Sequence, residues 1–314
     1  MNSKKLLPVG FYDLIFEEAY QNHNSINLAL DNFFNSGFKL IKTPLVEFEE
    51  SFSSDKISNY FCTPDLISGK NIIFRNDITL QISRLVASRL AQHKMPLKLC
   101  YVGDVLNAKS SDLYADRQQT QVGFEIIGCD DEFSDFEVIN LLLSTLNKLK
   151  LKKLLIEIYL PNFLQIFLEQ LQLDNSNDLK KAIVKKNISE IRKICPENHQ
   201  IIASIALVNT DLQSIINKIP SAIKSDNIML ELSRAKKIEK FLKENYPEIE
   251  ICFDLFGDSD NSYHHDIAFD VFCESFSYPI ARGGKYKIDN NHDNINAIGA
   301  TIYMNSLRKI SDKK

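Results

Sequence analysis

Gln121 and Glu125 stand four residues apart in the segment QTQVGFEIIG. Side chains two or four apart on a strand point to the same face, so an amide and a carboxylate emerge together from an apolar segment and can hold a small polar group. Two further pairs have the same character. Asp77 and Thr79 sit where a loop becomes a helix in RNDITLQI, and Tyr263 and His264 open a later strand in SYHHDIAFD. Taken singly, each pair fits a plainer role better, as a solvated strand residue or a helix cap. Only their combination points to a ligand.

Other chemistry is excluded by spacing. His264, His265 and Asp266 are consecutive, so on a strand they alternate between faces and cannot all reach one ion; no metal site is expected. Gly283-Gly284-Lys285 lacks the upstream glycine of a phosphate-binding loop, and no Ser or Thr follows the lysine. A G-x-S-x-G elbow and an H-E-x-x-H helix are absent as well.

The elements that must carry these residues follow from periodicity. From Tyr12 to Ser36 the apolar positions Leu14, Ile15, Ala19, Ile26, Leu30, Phe33 and Phe34 predict a helix ended by Gly37, and FKLIKTPLVEF predicts a strand after it. RNDITLQISRLVASRLAQHKMP places Ile78, Ile82, Leu85, Val86 and Leu90 on one helical face. A strand pair spans Lys98 to Gly128. Ser134 and Glu137 have capping-box spacing at the start of FEVINLLLSTLNKLKL, which leads into the strand KLLIEIYL. The stretch 161–247 contains no glycine and reads as a helical insertion, after which strands return at EIEICFDLFG and HDIAFDVFCE. The expected organisation is a core of residues 1–160, the insertion 161–247, and a second part of the core at 248–314. Strands joined by short turns predict an α+β fold, a mainly antiparallel sheet flanked by helices.

Composition narrows the class further. The 314 residues are 44% hydrophobic and 25% charged with a net charge of −4, which describes a globular chain without the basic footprint of a nucleic-acid binder. The six cysteines form no C-x-x-C pair, which fits free thiols in a reducing compartment. The N-terminus has no apolar core of a signal peptide, and no window is long and apolar enough to span a bilayer. The expected location is cytoplasmic, with no membrane partner.

The order of these segments resembles the catalytic core of histidyl-tRNA synthetase, a class II aminoacyl-tRNA synthetase, over residues 6 to 310. It resembles more closely the family of non-catalytic relatives that form the regulatory subunit of ATP phosphoribosyltransferase. In those subunits the run R-P-D-M-T-P-Q-I-A-R-x-x-A-x-R-L is typical, and RNDITLQISRLVASRL is similar to it nearly throughout. The resemblance implies a class II synthetase-like fold with a helical insertion, and no anticodon-binding domain is expected.

Adenylate formation needs fixed cations aimed at the charge developing on the α-phosphate, a task suited to arginine. The F-R-x-E of the synthetases falls on Leu106-Asn107-Ala108-Lys109. Their R-G-L-D-Y-Y falls on Ser259-Asp260-Asn261-Ser262-Tyr263-His264, and their G-F-A-x-G-x-E-R on Gly299 to Ser306, with Arg308 displaced. The arginine is lost at each place. No catalytic residue and no cofactor are therefore expected.

What the resemblance retains is the amino-acid half of the pocket, which assigns Asp77, Thr79, Gln121, Glu125, Tyr263 and His264 to free histidine. His264 stands where both relatives carry a second tyrosine, introducing a group that titrates near neutrality. The function implied is a regulatory subunit that switches on the short catalytic subunit of ATP phosphoribosyltransferase, in the first step of histidine biosynthesis, and is switched off by histidine. A homodimer within a hetero-oligomer is implied through the TPLVEF strand and the preceding helix. The alternative is a synthetase-like enzyme that transfers an activated amino acid to an acceptor other than tRNA.

Overall fold

The apolar stripe that begins near Tyr12 becomes helical only at Phe16. In the computed structural model, which describes residues 6–51, 59–110, 116–129, 132–173, 177–207, 211–257, 264–274, 276–289 and 294–311, α1 spans Phe16–Asn35 behind an extended Ile15. Glu17 and Glu18 lie in its first turn, where the helix dipole favours acids. Gly37, at φ +85°, turns the chain out of it.

FKLIKTPLVEF, expected as one strand, forms two: β1 at Lys39–Ile41 and β2 at Val46–Phe48. The break falls at Pro44, which has no N–H to give a ladder and whose carbonyl instead accepts from Gln81 Nε2 at 2.8 Å. There follow β3 (Phe61–Pro64), β4 (Asn71–Phe74), α2 (Ile78–Leu85, continued as a π-helical turn through Leu90), β5 (Leu97–Leu106), β6 (Gln118–Ile127) and α3 (Phe133–Lys148). The expected capping box does not form. Ser134 is the second residue of α3, its N-cap is Glu132, and Glu137 pairs across to Lys98 on β5.

The chain continues through β7 (Leu154–Tyr159), α4 (Pro161–Gln170), α5 (Asn177–Val184), α6 (Ile188–Ile194), α7 (His199–Ala206), α8 (Leu212–Lys218) and α9 (Asp226–Asn245). It closes with β8 (Glu250–Asp254), β9 (His264–Cys273), β10 (Phe276–Ile288), β11 (Ile295–Tyr303) and α10 (Met304–Ser311).

These elements form two compact units, residues 1–150 with 288–314, and residues 151–287. In the first, β6 lies between β5 and β11, antiparallel to both, and β1 joins β5 in parallel. A separate antiparallel sheet has the order β2-β4-β3. Val122, Phe124 and Ile126 point to one face of β6, where Phe33 and Phe38 pack on Phe124 with ring centroids 4.7 and 5.3 Å away. Asn32 ties α1 to α3 on that side by donating to Thr145 Oγ1 at 2.7 Å. The opposite face carries Gln121, Gly123 and Glu125.

In the second unit, β9 lies between β10 and β7, antiparallel to both, and β8 joins β7 in parallel. Pro161 opens α4, where its missing N–H costs nothing. Phe163 and Phe167 of that helix pack on Phe256 at 6.0 and 4.9 Å. Antiparallel pairings predominate and helices flank the strands, so the α+β architecture read from the sequence is the one formed.

Candidate functional site

Strand register assembles the site on the first unit. Gly103, Tyr101 and Leu99 of β5 stand opposite Gln121, Gly123 and Glu125 of β6, and Tyr303, Thr301 and Gly299 of β11 flank the same three from the other side. Bare backbone at the glycines leaves room for neighbouring side chains to lie across the sheet. A Cβ on Gly123 would stand 2.4 Å from the Tyr101 hydroxyl, one on Gly299 1.7 Å from Glu125 Oε2, and one on Gly103 2.1 Å from Arg75 Nη2. Any side chain at these positions would displace the groups that form the floor.

The start of α2 meets that floor. Asp77 caps the helix, its Oδ1 accepting from the Thr79 N–H at 3.1 Å. Gln121 Oε1 accepts from the Ile78 N–H at 3.2 Å, and the Thr79 hydroxyl donates to Glu125 Oε1 at 3.1 Å. Thus the structure brings together Asp77, Thr79, Gln121 and Glu125 and engages them with one another. Thr79, Gln121 and Glu125 are all buried.

Two residues of the cluster escaped the sequence reading. Tyr101 is 1% exposed, and its hydroxyl lies 2.6 Å from Thr301 Oγ1. Burial holds the phenol well above its ordinary pKa, and the nearby charges of Glu125 and Asp77 push the same way, so it remains a protonated donor. Their recruitment depends on which strands pair. The alternation KLCYVG gives Tyr101 a face but not its neighbours.

The cluster is polar, with two carboxylates, Asp77 and Glu125, among the hydroxyls of Thr79, Tyr101 and Thr301 and the amide of Gln121. Carboxylates in a desolvated setting favour a cationic guest bearing several N–H donors. A primary ammonium and a protonated imidazole are groups of that kind.

Tyr263 lies outside the described residues. His264 opens β9 in the second unit and is half-buried. Burial lowers its pKa to about 3, helped by the positive Arg282 and by His265. The expectation of a group titrating near neutrality is therefore overturned, because an imidazole removed from water beside cations stays neutral.

Of the places where the resemblance puts synthetase arginines, position 259 lies outside the described residues, Ser306 is buried in α10, and Asn107 binds its own chain, as does Asn305 beside Ser306. Asn107 is held by Arg117, with its N–H donating to the Arg117 carbonyl at 2.7 Å and its carbonyl accepting from Arg117 Nε at 3.2 Å. Arg117 itself lies against the Phe11 and Phe61 rings at 5.3 and 4.8 Å. Asn305 accepts from the Thr120 N–H at 3.1 Å and donates to the Gln118 carbonyl at 2.9 Å and to the Tyr12 hydroxyl. Tyr12 donates to Asp116 at 2.9 Å, and Lys309 pairs with Asp116 at 2.8 Å. Arg308 stacks on the Tyr12 ring at 4.1 Å and pairs with Glu18 at 2.8 Å. This corner is a clamp between the N-terminal segment and α10, with an acid at its centre.

Comparison with known proteins shows the family. The family model for histidyl-tRNA synthetase matches residues 10–307. The ATP phosphoribosyltransferase regulatory subunit of Hahella chejuensis is 28% identical over 292 residues, covering 90% of this chain and 72% of that protein. The subunit of the same name from Paramagnetospirillum magneticum is 26% identical over 316 residues, covering 97% and 81%. Among solved structures, an ATP phosphoribosyltransferase regulatory subunit/histidyl-tRNA synthetase from Bacillus halodurans C has a TM-score of 0.83 at 21% identity, covering 98% of this chain and 83% of that one. The ATP phosphoribosyl transferase (HisG:HisZ) complex from Thermotoga maritima gives a TM-score of 0.70 at 17% identity, covering 90% and 97%. At such identities the structural likeness speaks for the fold.

Proposed function

The chain belongs to the histidyl-tRNA synthetase family, and we propose that within it the protein is a regulatory subunit that performs no chemistry. It would activate the short catalytic subunit of ATP phosphoribosyltransferase at the first step of histidine biosynthesis and sense histidine for feedback inhibition. The observation that carries this reading is the contrast between the two ends of the strand layer β5-β6-β11. At one end Asp77, Thr79, Gln121 and Glu125 converge with Tyr101 as an amino-acid cradle. At the other, Asn107 and Ser306 stand where the synthetases have arginines, and Arg117 and Arg308 engage the protein's own rings and acids.

Histidine suits the cradle. Its ammonium would meet the carboxylate, hydroxyl and amide oxygens of Asp77, Thr79 and Gln121, while Glu125 is left for the imidazole, and by family resemblance Tyr263 and His264 complete the set. A charge-assisted hydrogen bond contributes about 1.5–3 kcal/mol. Feedback requires histidine to prefer one of two states of the assembly, since a ligand with equal affinity for both shifts nothing.

The same reading makes residues 161–247 an insertion in a synthetase-like core and the working form a homodimer inside a hetero-oligomer. Phe34 on α1, Leu40 on β1 and Leu45 before β2 are 43%, 51% and 42% exposed, apolar surface of the kind a partner copy covers. No described helix is long and apolar enough to cross a membrane; the location that goes with the proposed role is the cytoplasm.

The test mixes the purified chain with the short catalytic subunit and follows phosphoribosyl-ATP formation with and without histidine. Activity confined to the mixture and lowered by histidine supports the proposal. A mixture that behaves like the catalytic subunit alone rejects it.

A further inference from the structure

Asp266, near the start of β9, has φ +60°, a left-handed conformation that residues with a Cβ enter at a cost. Its carboxylate is gripped from two helices. Asn162 at the start of α4 donates its Nδ2 to Oδ1 at 2.9 Å, and Arg234 of α9 brings Nη1 to 3.8 Å from the same oxygen. His265 adds its Nδ1 at 3.3 Å from Oδ2. Arg234 is fixed in turn by the buried Glu231 one turn earlier, with Nη1 3.2 Å from both carboxylate oxygens. The hydrogen bond from His265, opposed by burial and assisted by Arg234, lowers the Asp266 pKa to about 2. The grip is therefore ionic throughout the neutral range.

A glycine would adopt this φ without any grip. An aspartate there makes the backbone depend on its side-chain partners, and the partner with the charge comes from α9. We infer that Arg234 and Asp266 are positioning residues, through which α9 holds the first turn of β9 in its left-handed conformation and so fixes the setting of His264, two residues earlier. The link to a ligand rests on the proposed function, in which resemblance assigns His264 to bound histidine. The link between α9 and the backbone of β9 stands apart from it.

The dependence predicts a specific non-additivity. Arg234→Met should raise amide hydrogen exchange over Asp266 to Ala268 by about tenfold or more, the scale set by a left-handed residue losing its support. In an Asp266→Gly background the same substitution should change that exchange by less than about threefold, because glycine no longer needs the arginine. Histidine affinity by calorimetry should follow the same pattern, weakened by Arg234→Met alone and recovered in the double variant. If Arg234→Met does not fold, Arg234→Gln, which keeps a polar side chain and removes the charge, takes its place in both backgrounds. Equal effects of Arg234→Met in both backgrounds, or none in either, overturn the inference. A wild-type protein that binds no histidine overturns the histidine reading instead, while the exchange comparison still decides this one.

Discussion

Glu125 lies over Gly299, so closely that a Cβ on the glycine would stand 1.7 Å from its Oε2. The carboxylate therefore has its place only while position 299 is bare. Gly299→Ala should swing Glu125 away from Thr79, costing about 1–3 kcal/mol of stability as overpacking does and removing measurable histidine binding. Chemical denaturation and calorimetry on the variant check both. Histidine binding at wild-type strength would show that Glu125 does not contact the ligand.

Charge and shape can be separated at Asp77. Asparagine caps a helix about as well as aspartate, so Asp77→Asn should leave stability within about 0.5 kcal/mol while weakening histidine by about tenfold or more through loss of a charge-assisted bond. Asp77→Ala should lose the cap too, at about 0.5–2 kcal/mol. If Asp77→Asn and wild type bind histidine equally, Asp77 is a cap and nothing more.

His264 carries a pH prediction with a definite sign. Its pKa is about 3 in the folded protein against about 6.5 when unfolded, so between those values the unfolded chain binds the extra proton. Stability from this group is full above about 6.5 and lost as the pH falls toward 3. Urea titrations of wild type and His264→Gln across pH 4 to 8 should show their difference in stability shifting against wild type on acidification. A difference that does not vary with pH means the imidazole is not held neutral.

Much of the site was legible because its parts are local. The four-residue spacing of Gln121 and Glu125 fixes their common face, and Asp77 and Thr79 announce a helix start within three positions. Tyr101, Thr301 and Gly299 were not legible as partners, since only the register of β5 and β11 on β6 makes them neighbours. Ser134 and Glu137 show the converse. Their spacing is right for a capping box, yet Lys98, distant in sequence, takes the glutamate, because an ion pair in the folded state competes with a local one. The single strand expected over FKLIKTPLVEF failed for a similar reason: Gln81 and Arg75 both take the Pro44 carbonyl as an acceptor, and the two halves serve different sheets.

The remaining rival is an enzyme that activates an amino acid for an acceptor other than tRNA, and exchange of pyrophosphate into ATP separates it from a subunit without chemistry. Loss of one preorganised donor costs about 10²–10³ in rate, and here the resemblance puts Asn107 and Ser306 at two of the arginine positions and Ser259 at the third. Asn305, beside Ser306, spans Thr120, Gln118 and Tyr12, and Arg308, the arginine nearest in sequence, is already engaged by the Tyr12 ring and Glu18. Histidine-dependent exchange should remain at background in wild type. It should also remain there in Asn107→Arg, because one restored arginine would still leave the other arginine positions without one. Exchange above background in the wild-type protein, abolished by Glu125→Gln, would reinstate the enzyme and remove the regulatory reading.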